Sequence, residues 1–470
     1  MDLEVKEKKK VKVPHVYVIV FFLVLIAAIS TWFIPSGEFE YEEINVNGVV
    51  RNVAVPGSYK VIPKEETTRA GLIEFMSSFH KGMINNAEVM MLIFIVNGAF
   101  ALIVKTGAFH AMLGSLLRKL GDKSKIIIPV FFVLFGLGAS LFGMNNEYNG
   151  LIPIFVGLGT ALGYDAMLGF AIIELGRSLG FAAAIMNPFT IVVAQSIAGV
   201  PIYSNTPFRI GIFIVFNIIG IYWIFRYARK LEKDPANSLM KDEETMFSFD
   251  REELIEYEVT NKHILIFIEM LLALLLIMYG FIKLEWGSIE LSGIFLLMGI
   301  IAALINGWSP NKIAEEFIEG CRNIVYGALI VGFAGAILVV LKEAQVIDTI
   351  VNFMGSSLGR FHPAIAAQGM LFIQTIINFF IPSGSGQAAT VIPMMAPIGD
   401  LVGVSREITV LAYQMGDGLS NLLWPTCGIV TACGIAGIPI DKWWKFFIPL
   451  FGIMYVMQMI IIFIATAVGM

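Results

Sequence analysis

The second half of this chain repeats the first half, and the repeated positions lie inside long apolar stretches. The run Ile-Ala-Gly-Val-Pro-Ile at 197–202 returns as Ile-Ala-Gly-Ile-Pro-Ile at 435–440. Further pairs at nearly constant spacing are Ile152-Pro153 and Ile392-Pro393, Gly163 and Gly403, Gly176 and Gly416, and Pro188 and Pro425. Two membrane halves with helices interrupted at matching places are typical of secondary transporters that bind substrate between the repeats.

The apolar content is too high for a soluble protein. Of the 470 residues, 57% are hydrophobic and 15% are charged, and the mean hydropathy is +0.79. Several apolar stretches long enough to cross a bilayer follow one another, so we predict an all-α polytopic protein embedded in a lipid bilayer. The first stretch, 16–34, is too long for a secretory signal and lacks a small-residue cleavage site, which indicates a retained span.

Clusters of Lys and Arg predict the orientation of the chain, because positively charged loops stay in the cytoplasm. The clusters lie at 8–12, 118–125, 226–233 and 442–445. Nine spans with a cytoplasmic N-terminus, in a bacterial inner membrane, place all four clusters inside. These spans are 16–34, 87–106, 166–200, 207–225, 263–283, 288–306, 326–343, 404–436 and 446–468. The matched amphipathic stretches 71–86 and 311–323 then lie on opposite sides of the membrane, so the second repeat is inverted.

This topology divides the chain into six parts. They are 1–34, the cytoplasmic N-terminus and first span; 35–69, an extracytoplasmic segment; 70–225, the first inverted repeat; 226–262, a polar cytoplasmic linker; 263–306, two scaffold spans; and 307–470, the second inverted repeat. Within the extracytoplasmic segment, Asn47-Gly48 is a sequence typical of a tight β-hairpin turn.

Each repeat also contains two apolar arms joined by a short polar segment. The joints are 143–148 in the first repeat and 382–387 in the second, and both are rich in Gly and small polar residues. Irregular backbone survives at membrane depth only where protein or a water-filled cavity surrounds it. We therefore predict two re-entrant hairpins whose tips meet at the substrate; two ordinary helix pairs with surface turns are the alternative.

A proline interrupts the apolar segment that follows each hairpin. Pro188 lies within 185–190 and Pro425 lies within 421–426. Proline has no amide hydrogen and disfavours helical geometry in the residue before it. Two broken helices are predicted, with half-helix ends that attract carboxylates or cations; a kinked but continuous helix is the alternative.

Ionisable and polar side chains occur at equivalent depths in the two repeats. Glu147 aligns with Gln387, Glu174 with Gln414, and Arg177 with Asp417. Such groups are costly inside a membrane, so they indicate function, although Glu174 and Arg177 could also neutralise each other within one helix. The predicted substrate-binding residues are Asn145, Asn146, Glu147, Glu174, Arg177, Asn187, Ser383, Gly384, Ser385, Gln387, Gln414, Asp417, Asn421 and Thr426.

Other classes of function lack support in the sequence. Three Cys and five His residues show no zinc spacing, and no nucleophile with a base stands out, so neither an enzyme nor a cofactor is expected. The charge of −5 is confined to loops and does not indicate a nucleic-acid partner. An ion channel would need a continuous polar stripe along several spans, whereas the polar groups here concentrate near the midplane.

Four segments resemble one family of transporters. They are Pro14–Tyr17, Phe33–Phe39, Gly143-Met144 and Pro382–Ala388. The chain is similar over essentially its whole length to the YfcC branch of the anaerobic C4-dicarboxylate carrier-like (DcuC-like) family, in the ion transporter superfamily. The resemblance implies a homodimer in which a transport domain moves like an elevator against a fixed scaffold, and a substrate that is either a dicarboxylate or a basic amino acid.

The charges favour the amino acid. Three acids, Glu147, Glu174 and Asp417, face one base, Arg177, which leaves a net charge of −2 if all are ionised. A second substrate carboxylate would be repelled, whereas an amine or guanidinium would be attracted. We predict an antiporter of basic amino acids such as arginine and ornithine. The alternative is a C4-dicarboxylate carrier coupled to sodium or protons, with sodium ligands at the hairpin tips and helix breaks.

Overall fold

The computed structural model describes residues 16–46, 49–63, 67, 69–243, 247, 254, 256–284 and 286–470. In these residues the chain forms nineteen α-helices and four short strands. Eight of the helices are long and apolar enough to cross a membrane. The predicted all-α polytopic class is therefore confirmed, with the strands confined to one extramembrane segment.

Nine of the described helices precede the polar linker. They include the two arms of the first hairpin and the two halves of the first broken helix. They are α1 (Val16–Ser30), α2 (Leu72–Asn85), α3 (Ala87–Lys105), α4 (Ala108–Leu120), α5 (Ile127–Phe142), α6 (Ile152–Ala161), α7 (Ala166–Ala183), α8 (Ile191–Ala198) and α9 (Thr206–Lys233).

Ten helices follow the linker. They are α10 (Asn261–Lys283), α11 (Ser288–Asn306), α12 (Pro310–Asn323), α13 (Val325–Glu343), α14 (Ile347–Ser356), α15 (Pro363–Phe380), α16 (Gly384–Val402), α17 (Arg406–Ser420), α18 (Ile429–Ala436) and α19 (Ile440–Ala467). Helices α12 to α19 repeat α2 to α9 in order. The lengths of α2, α3, α8 and α9, which are 14, 19, 8 and 28 residues, recur in α12, α13, α18 and α19.

The strands lie between α1 and α2. β1 (Gly37–Glu38) pairs antiparallel with β4 (Lys60–Val61), and β2 (Tyr41–Val46) pairs antiparallel with β3 (Val49–Ala54). The predicted hairpin turn Asn47-Gly48 falls outside the described residues. The strands form two separate two-stranded sheets. This segment is tied to α14, because the Asp348 carboxylate accepts hydrogen bonds from the Phe39 backbone amide at 3.1 Å and from the Tyr41 hydroxyl at 3.1 Å.

Contacts between span ends sort the molecule into two faces. On the strand face, the Gly37 amide donates to the Gln345 carbonyl at 2.9 Å, and the Arg406 guanidinium donates to the Ala198 carbonyl at 2.7 Å. On the opposite face, called the basic face here, Lys125 and Tyr164 both contact Glu232, at 2.7 and 2.6 Å. In each of these contacts, the two bonded residues lie at helix ends or in loops on the same side of the molecule.

The two hairpins therefore open in opposite directions. Hairpin 1, formed by α5 and α6, has its open end at Lys125 and Tyr164, on the basic face. Hairpin 2, formed by α15 and α16, has its open end at Arg406 on the strand face, where Arg406 also pairs with Asp400 at 2.8 Å. The inversion predicted from the distribution of Lys and Arg is present in the three-dimensional contacts.

The turn between hairpin and following helix is built alike in both repeats. Gly163 and Gly403 adopt left-handed φ values of 85° and 77°, which glycine tolerates best. Two residues later, the Asp165 and Ser405 side chains cap α7 and α17 by accepting the amides of Leu168 and Ile408. The two glycines match in sequence because both turns need a left-handed backbone at this position.

Helix boundaries differ from the predicted spans at two helices, α9 and α19. The stretches 166–200 and 404–436 are each two helices, α7 with α8 and α17 with α18, as expected for broken helices. α9 continues to Lys233 and α19 begins at Ile440, so both are longer than the predicted spans 207–225 and 446–468. A span predicted from hydropathy ends at the first charged residues. The helix itself continues into the headgroup region as long as its backbone hydrogen bonds are formed.

The close backbone contact between α5 and α7 allows this packing to be tested by a substitution. A Cβ on Gly180 would lie 2.1 Å from the Gly136 backbone oxygen, so Gly180→Ala forces the two helices apart. We expect the free energy of unfolding to fall by about 1–3 kcal/mol, observed as a lower midpoint of thermal unfolding in detergent. The control is Gly211→Ala on α9, where a Cβ meets nothing within 4 Å. Equal losses in both variants would contradict this packing.

Candidate substrate site

Both hairpin tips and both helix breaks converge on one cavity. Its volume is about 400 Å³. Six of the predicted residues line it: Asn145, Arg177, Ser383, Gly384, Ser385 and Asn421. The cavity lies where residues from both repeats meet, as expected for a transporter built from inverted repeats.

Three helix N-termini lie at the wall of this cavity. α16 begins at Gly384, α8 begins after Thr190, and α18 begins at Ile429 after Gly428, and these residues all line the cavity. The first amides of a helix have no partner within it and carry the positive end of its dipole. Oxygen atoms of a carboxylate are the ligand groups that such ends bind best.

Arg177 is the one titratable side chain among the described residues that line the cavity. It pairs with Glu174 within α7: guanidinium nitrogens lie 2.8 and 3.1 Å from Glu174 Oε2. Glu174 is fully buried and Arg177 is 4% exposed. Mutual neutralisation of Glu174 and Arg177 was the predicted alternative to a binding role. The structure contains this ion pair, although Arg177 also lines the cavity.

Arg177 also holds the tip of hairpin 1. Its Nη1 donates to the backbone carbonyl of Asn145 and to Oδ1 of Asn149, each at 2.9 Å. Asn145 adopts an irregular backbone just before the short 3₁₀ turn at Asn146–Leu151. The Asn145 carbonyl also accepts the Tyr148 amide of this turn at 3.2 Å, so the guanidinium adds a second hydrogen bond that places the tip against α7.

Asp417 lies directly behind the start of α16. It is fully buried, and neither of its carboxylate oxygens accepts a hydrogen bond from the described part of the chain. A Cβ on Gly384 would lie 3.1 Å from Asp417 Oδ2, so the glycine brings the backbone of the tip onto the acid. Tyr413 fixes the same glycine by donating to its carbonyl at 2.6 Å.

Six other predicted residues do not line the cavity. Two of them are the buried acids Glu174 and Asp417. The side-chain amides or hydroxyl of the other four donate to nearby oxygens: Asn187 to Ala139, Gln387 to Gln374, Gln414 to Phe181, and Thr426 to Phe379. These bonds brace the hairpins and breaks from behind the site.

The side chains of Asn146 and Glu147 lie outside the described part of the structure. Both residues belong to the 3₁₀ turn of the hairpin 1 tip, so their backbone lies beside Asn145. Their place in the site stays a prediction from the sequence. Among the described residues, no three His, Cys, Asp or Glu side chains come together as a metal site would require.

The broken helices are stabilised by side chains from neighbouring helices. In the first break, the Ile185 amide donates to the Ser140 hydroxyl at 2.9 Å and the Met186 amide donates to the Ser140 carbonyl at 3.0 Å. In the second break, indole nitrogens of Trp443 and Trp444 on α19 donate to the carbonyls of Leu422 and Leu423, each at 2.9 Å. Irregular backbone at this depth is thereby paired by protein groups.

Several residues of the site were missed by sequence analysis. Ser178, Phe181, Phe189 and Thr190 line the cavity, and Tyr413 positions its wall. Thr190 stands within the proline motif and Ser178 follows Arg177, so proximity to those motifs could have indicated both. Phe189 stands in the same proline motif, whereas Phe181 carries no such mark, because aromatic residues are common throughout this chain.

Comparison with known proteins gives a consistent family assignment. The family model described as C4-dicarboxylate anaerobic carrier (DcuC) matches residues 13–467. A protein named putative basic amino acid antiporter YfcC, from Escherichia coli K12, is 31% identical over 502 aligned residues, covering 99% of each chain. An uncharacterised Haemophilus influenzae protein is 28% identical, covering 98% of each chain.

Two solved transporter structures are distant neighbours. The YdaH transporter of Alcanivorax borkumensis has a TM-score of 0.43 at 14% identity, with 97% of this chain and 99% of that chain covered. The Neisseria gonorrhoeae efflux pump MtrF has a TM-score of 0.41 at 16% identity, with coverages of 97% and 95%.

The buried pair on α7 generates a stability prediction. Arg177→Ala leaves Glu174 buried without its cation, so we expect the free energy of unfolding to fall by about 3–5 kcal/mol. Arg322→Ala is the control, since Arg322 pairs with Glu319 at the same spacing but on the surface, and its loss should cost about 0–1 kcal/mol. Thermal unfolding of the purified variants measures both. Similar midpoints for the two variants would contradict a structural role for the pair.

Proposed function

The chain belongs to the C4-dicarboxylate anaerobic carrier family of transporters, and from that premise we propose that it exchanges basic amino acids such as arginine and ornithine. The proposal concerns the substrate, the antiport mode and the elevator motion. Membership of the family, multi-pass insertion in a membrane and transport of a small molecule are its fixed starting points.

The observation that carries the proposal is the carboxylate of Asp417. It is buried and accepts no hydrogen bond from the described residues, although it lies against Gly384, which lines the cavity. A carboxylate in such a place is stable only when it is protonated or when a cation approaches it. Because Glu174 is neutralised by Arg177, Asp417 supplies the unpaired negative charge that an amine or guanidinium would meet.

The rest of an amino acid finds complementary groups in the same cavity. Its α-carboxylate would bind the helix N-terminus at Gly428. Its cationic end would point toward Asp417, while Asn145 and Asn421 offer neutral hydrogen bonds. The Escherichia coli relative, named as a putative basic amino acid antiporter, supports this choice of substrate.

A C4-dicarboxylate is the second candidate, and one observation favours it. Arg177 is a cation at the cavity wall, and three helix N-termini accompany it. Two carboxylates could bind these groups if Asp417 were protonated or held a coupling ion, sodium or proton. The description of the matching family names this class of substrate.

The inverted hairpins supply a mechanism for alternating access. Hairpin 1 opens on the basic face and hairpin 2 opens on the strand face, so each tip separates the cavity from one side of the membrane. We propose that repeats 70–225 and 307–470 form the moving unit around the cavity and that 263–306 belongs to the scaffold of a homodimer. The N-terminus and basic face lie in the cytoplasm of a bacterial inner membrane in this proposal.

Transport assays in proteoliposomes distinguish the two substrates. We expect labelled arginine to enter vesicles loaded with unlabelled ornithine at least about tenfold faster than empty vesicles, because exchange requires a returning substrate. Labelled succinate, with and without internal succinate, is the matched arm. Succinate uptake without arginine uptake would overturn the amino-acid proposal and favour the dicarboxylate.

Asp417→Asn tests the cation site directly. The exchange of arginine should fall at least about tenfold, because a hydrogen bond to a charged group contributes about 1.5–3 kcal/mol. Asp400→Asn is the control: Asp400 lies on α16 and pairs with Arg406 at the surface. Thermal unfolding of both purified variants is the check that each is folded. Unchanged arginine exchange in Asp417→Asn would remove Asp417 from the site.

A further inference from the structure

A second cavity lies at the basic face, away from the substrate site. It has a volume of about 450 Å³ and lies between the end of α9, the start of α19 and the segment after α9. Three of its lining residues are cations, Arg226, Lys230 and Lys445, and the others are mainly aromatic or apolar. Neither the fold nor the proposed transport reaction accounts for it.

The cations around this cavity exceed the nearby acids. Lys445 pairs with Asp441 at 3.0 Å. Arg226 and Lys230 have no carboxylate within ion-pair distance in the described part of the chain. Glu232, on the same helix, is already bound to Lys125 at 2.7 Å. The cavity therefore has excess positive charge, which an anion would neutralise.

The wall of the cavity is aromatic and firmly held. The Arg226 guanidinium lies 4.7 Å from the centroid of the Trp223 ring, and Tyr227 packs edge-on against Phe446 at 5.2 Å. Trp223 is buried, and its indole nitrogen has no acceptor among the described residues. A buried donor of this kind favours a ligand that carries acceptor oxygens.

Hydrogen bonds fix the opposite side of the same wall. The Tyr227 hydroxyl donates to Asp165 Oδ2 at 2.5 Å and accepts the Leu239 amide at 3.1 Å. The Ser238 hydroxyl donates to the same carboxylate oxygen at 2.7 Å. The segment after α9 is thereby fastened to the start of α7, so the cavity is preformed.

The depth of the cavity matches the headgroup layer of a bilayer. Along α9, Arg226 lies about 30 Å from Thr206 at 1.5 Å per residue, and the hydrocarbon core is also about 30 Å thick. Ile214, Ile218 and Tyr222 precede Arg226 at four-residue intervals and are exposed, so they form an apolar stripe that leads from the membrane core to the cation.

We propose that this cavity binds the phosphate headgroup of an anionic phospholipid, with the acyl chains along the Ile214–Ile218–Tyr222 stripe. Phosphate oxygens contact Arg226, Lys230 and Lys445, and the glycerol region packs against Trp223 and Phe446. A free phosphate would use the same cations but gains nothing from the stripe. The bound lipid joins the last helix of one repeat, α9, to the last helix of the other, α19.

The experiment compares two variants with equal changes in charge. Arg226→Gln/Lys230→Gln removes two of the three cations of the cavity, and Arg229→Gln/Lys233→Gln removes two cations of the same helix that do not line it. Native mass spectrometry of the full-length protein, titrated with phosphatidylglycerol or phosphatidylcholine, measures the lipid bound. Inorganic phosphate and glycerol phosphate, followed by thermal unfolding, form the soluble arm.

We expect the wild-type protein to bind phosphatidylglycerol in preference to phosphatidylcholine. Arg226→Gln/Lys230→Gln should weaken that binding at least about tenfold, and the control should stay within about twofold of wild type. Equal weakening in both variants would overturn the proposal, since it would indicate general surface charge. Stabilisation by soluble phosphate equal to that by lipid, or no preference for the anionic lipid, would overturn it as well.

Discussion

Every backbone polar group inside a bilayer must be paired by protein, and this requirement shapes the centre of the molecule. The chain breaks its helices at four places around the cavity, two hairpin tips and two proline motifs, and each break frees amides and carbonyls. Arg177 satisfies the carbonyl of Asn145, Ser140 pairs the amides of the first break, and two indoles of α19 pair the carbonyls of the second. These side chains provide partners for backbone groups where the half-helices end.

The same arrangement connects stability to binding. Arg177 is paired with Glu174, holds hairpin 1 and reaches the cavity, so one guanidinium takes part in packing and in the site. Asp417 has the opposite character, because no described group neutralises it. Glu174 is neutralised by Arg177 on its own helix, whereas neutralisation of Asp417 depends on what enters the cavity. This contrast is the physical basis for assigning the cationic end of a substrate to Asp417.

Much of this architecture was predictable from the sequence, and the limits of prediction have a physical cause. Matching residues between repeats locates a side chain in depth along its helix. It does not give the rotation of that helix, and successive residues point about 100° apart. Gln414 and Asp417 were therefore both assigned to the site, whereas Gln414 faces Phe181 and Asp417 faces Gly384. Ser178 was missed for the same reason, since its orientation depends on how α7 packs.

The aligned charges of the two repeats have a further consequence. Glu174 and Arg177 belong to the first repeat, while their counterparts Gln414 and Asp417 leave a single unpaired acid in the second. The two repeats share the order of their helices, but they differ in the charges that they carry. A zwitterion bound with its cationic end toward Asp417 keeps that heading relative to the protein whichever face the cavity opens on. In the proposed binding mode the substrate is therefore held differently with respect to the two faces, and the two directions of exchange need not be equally fast.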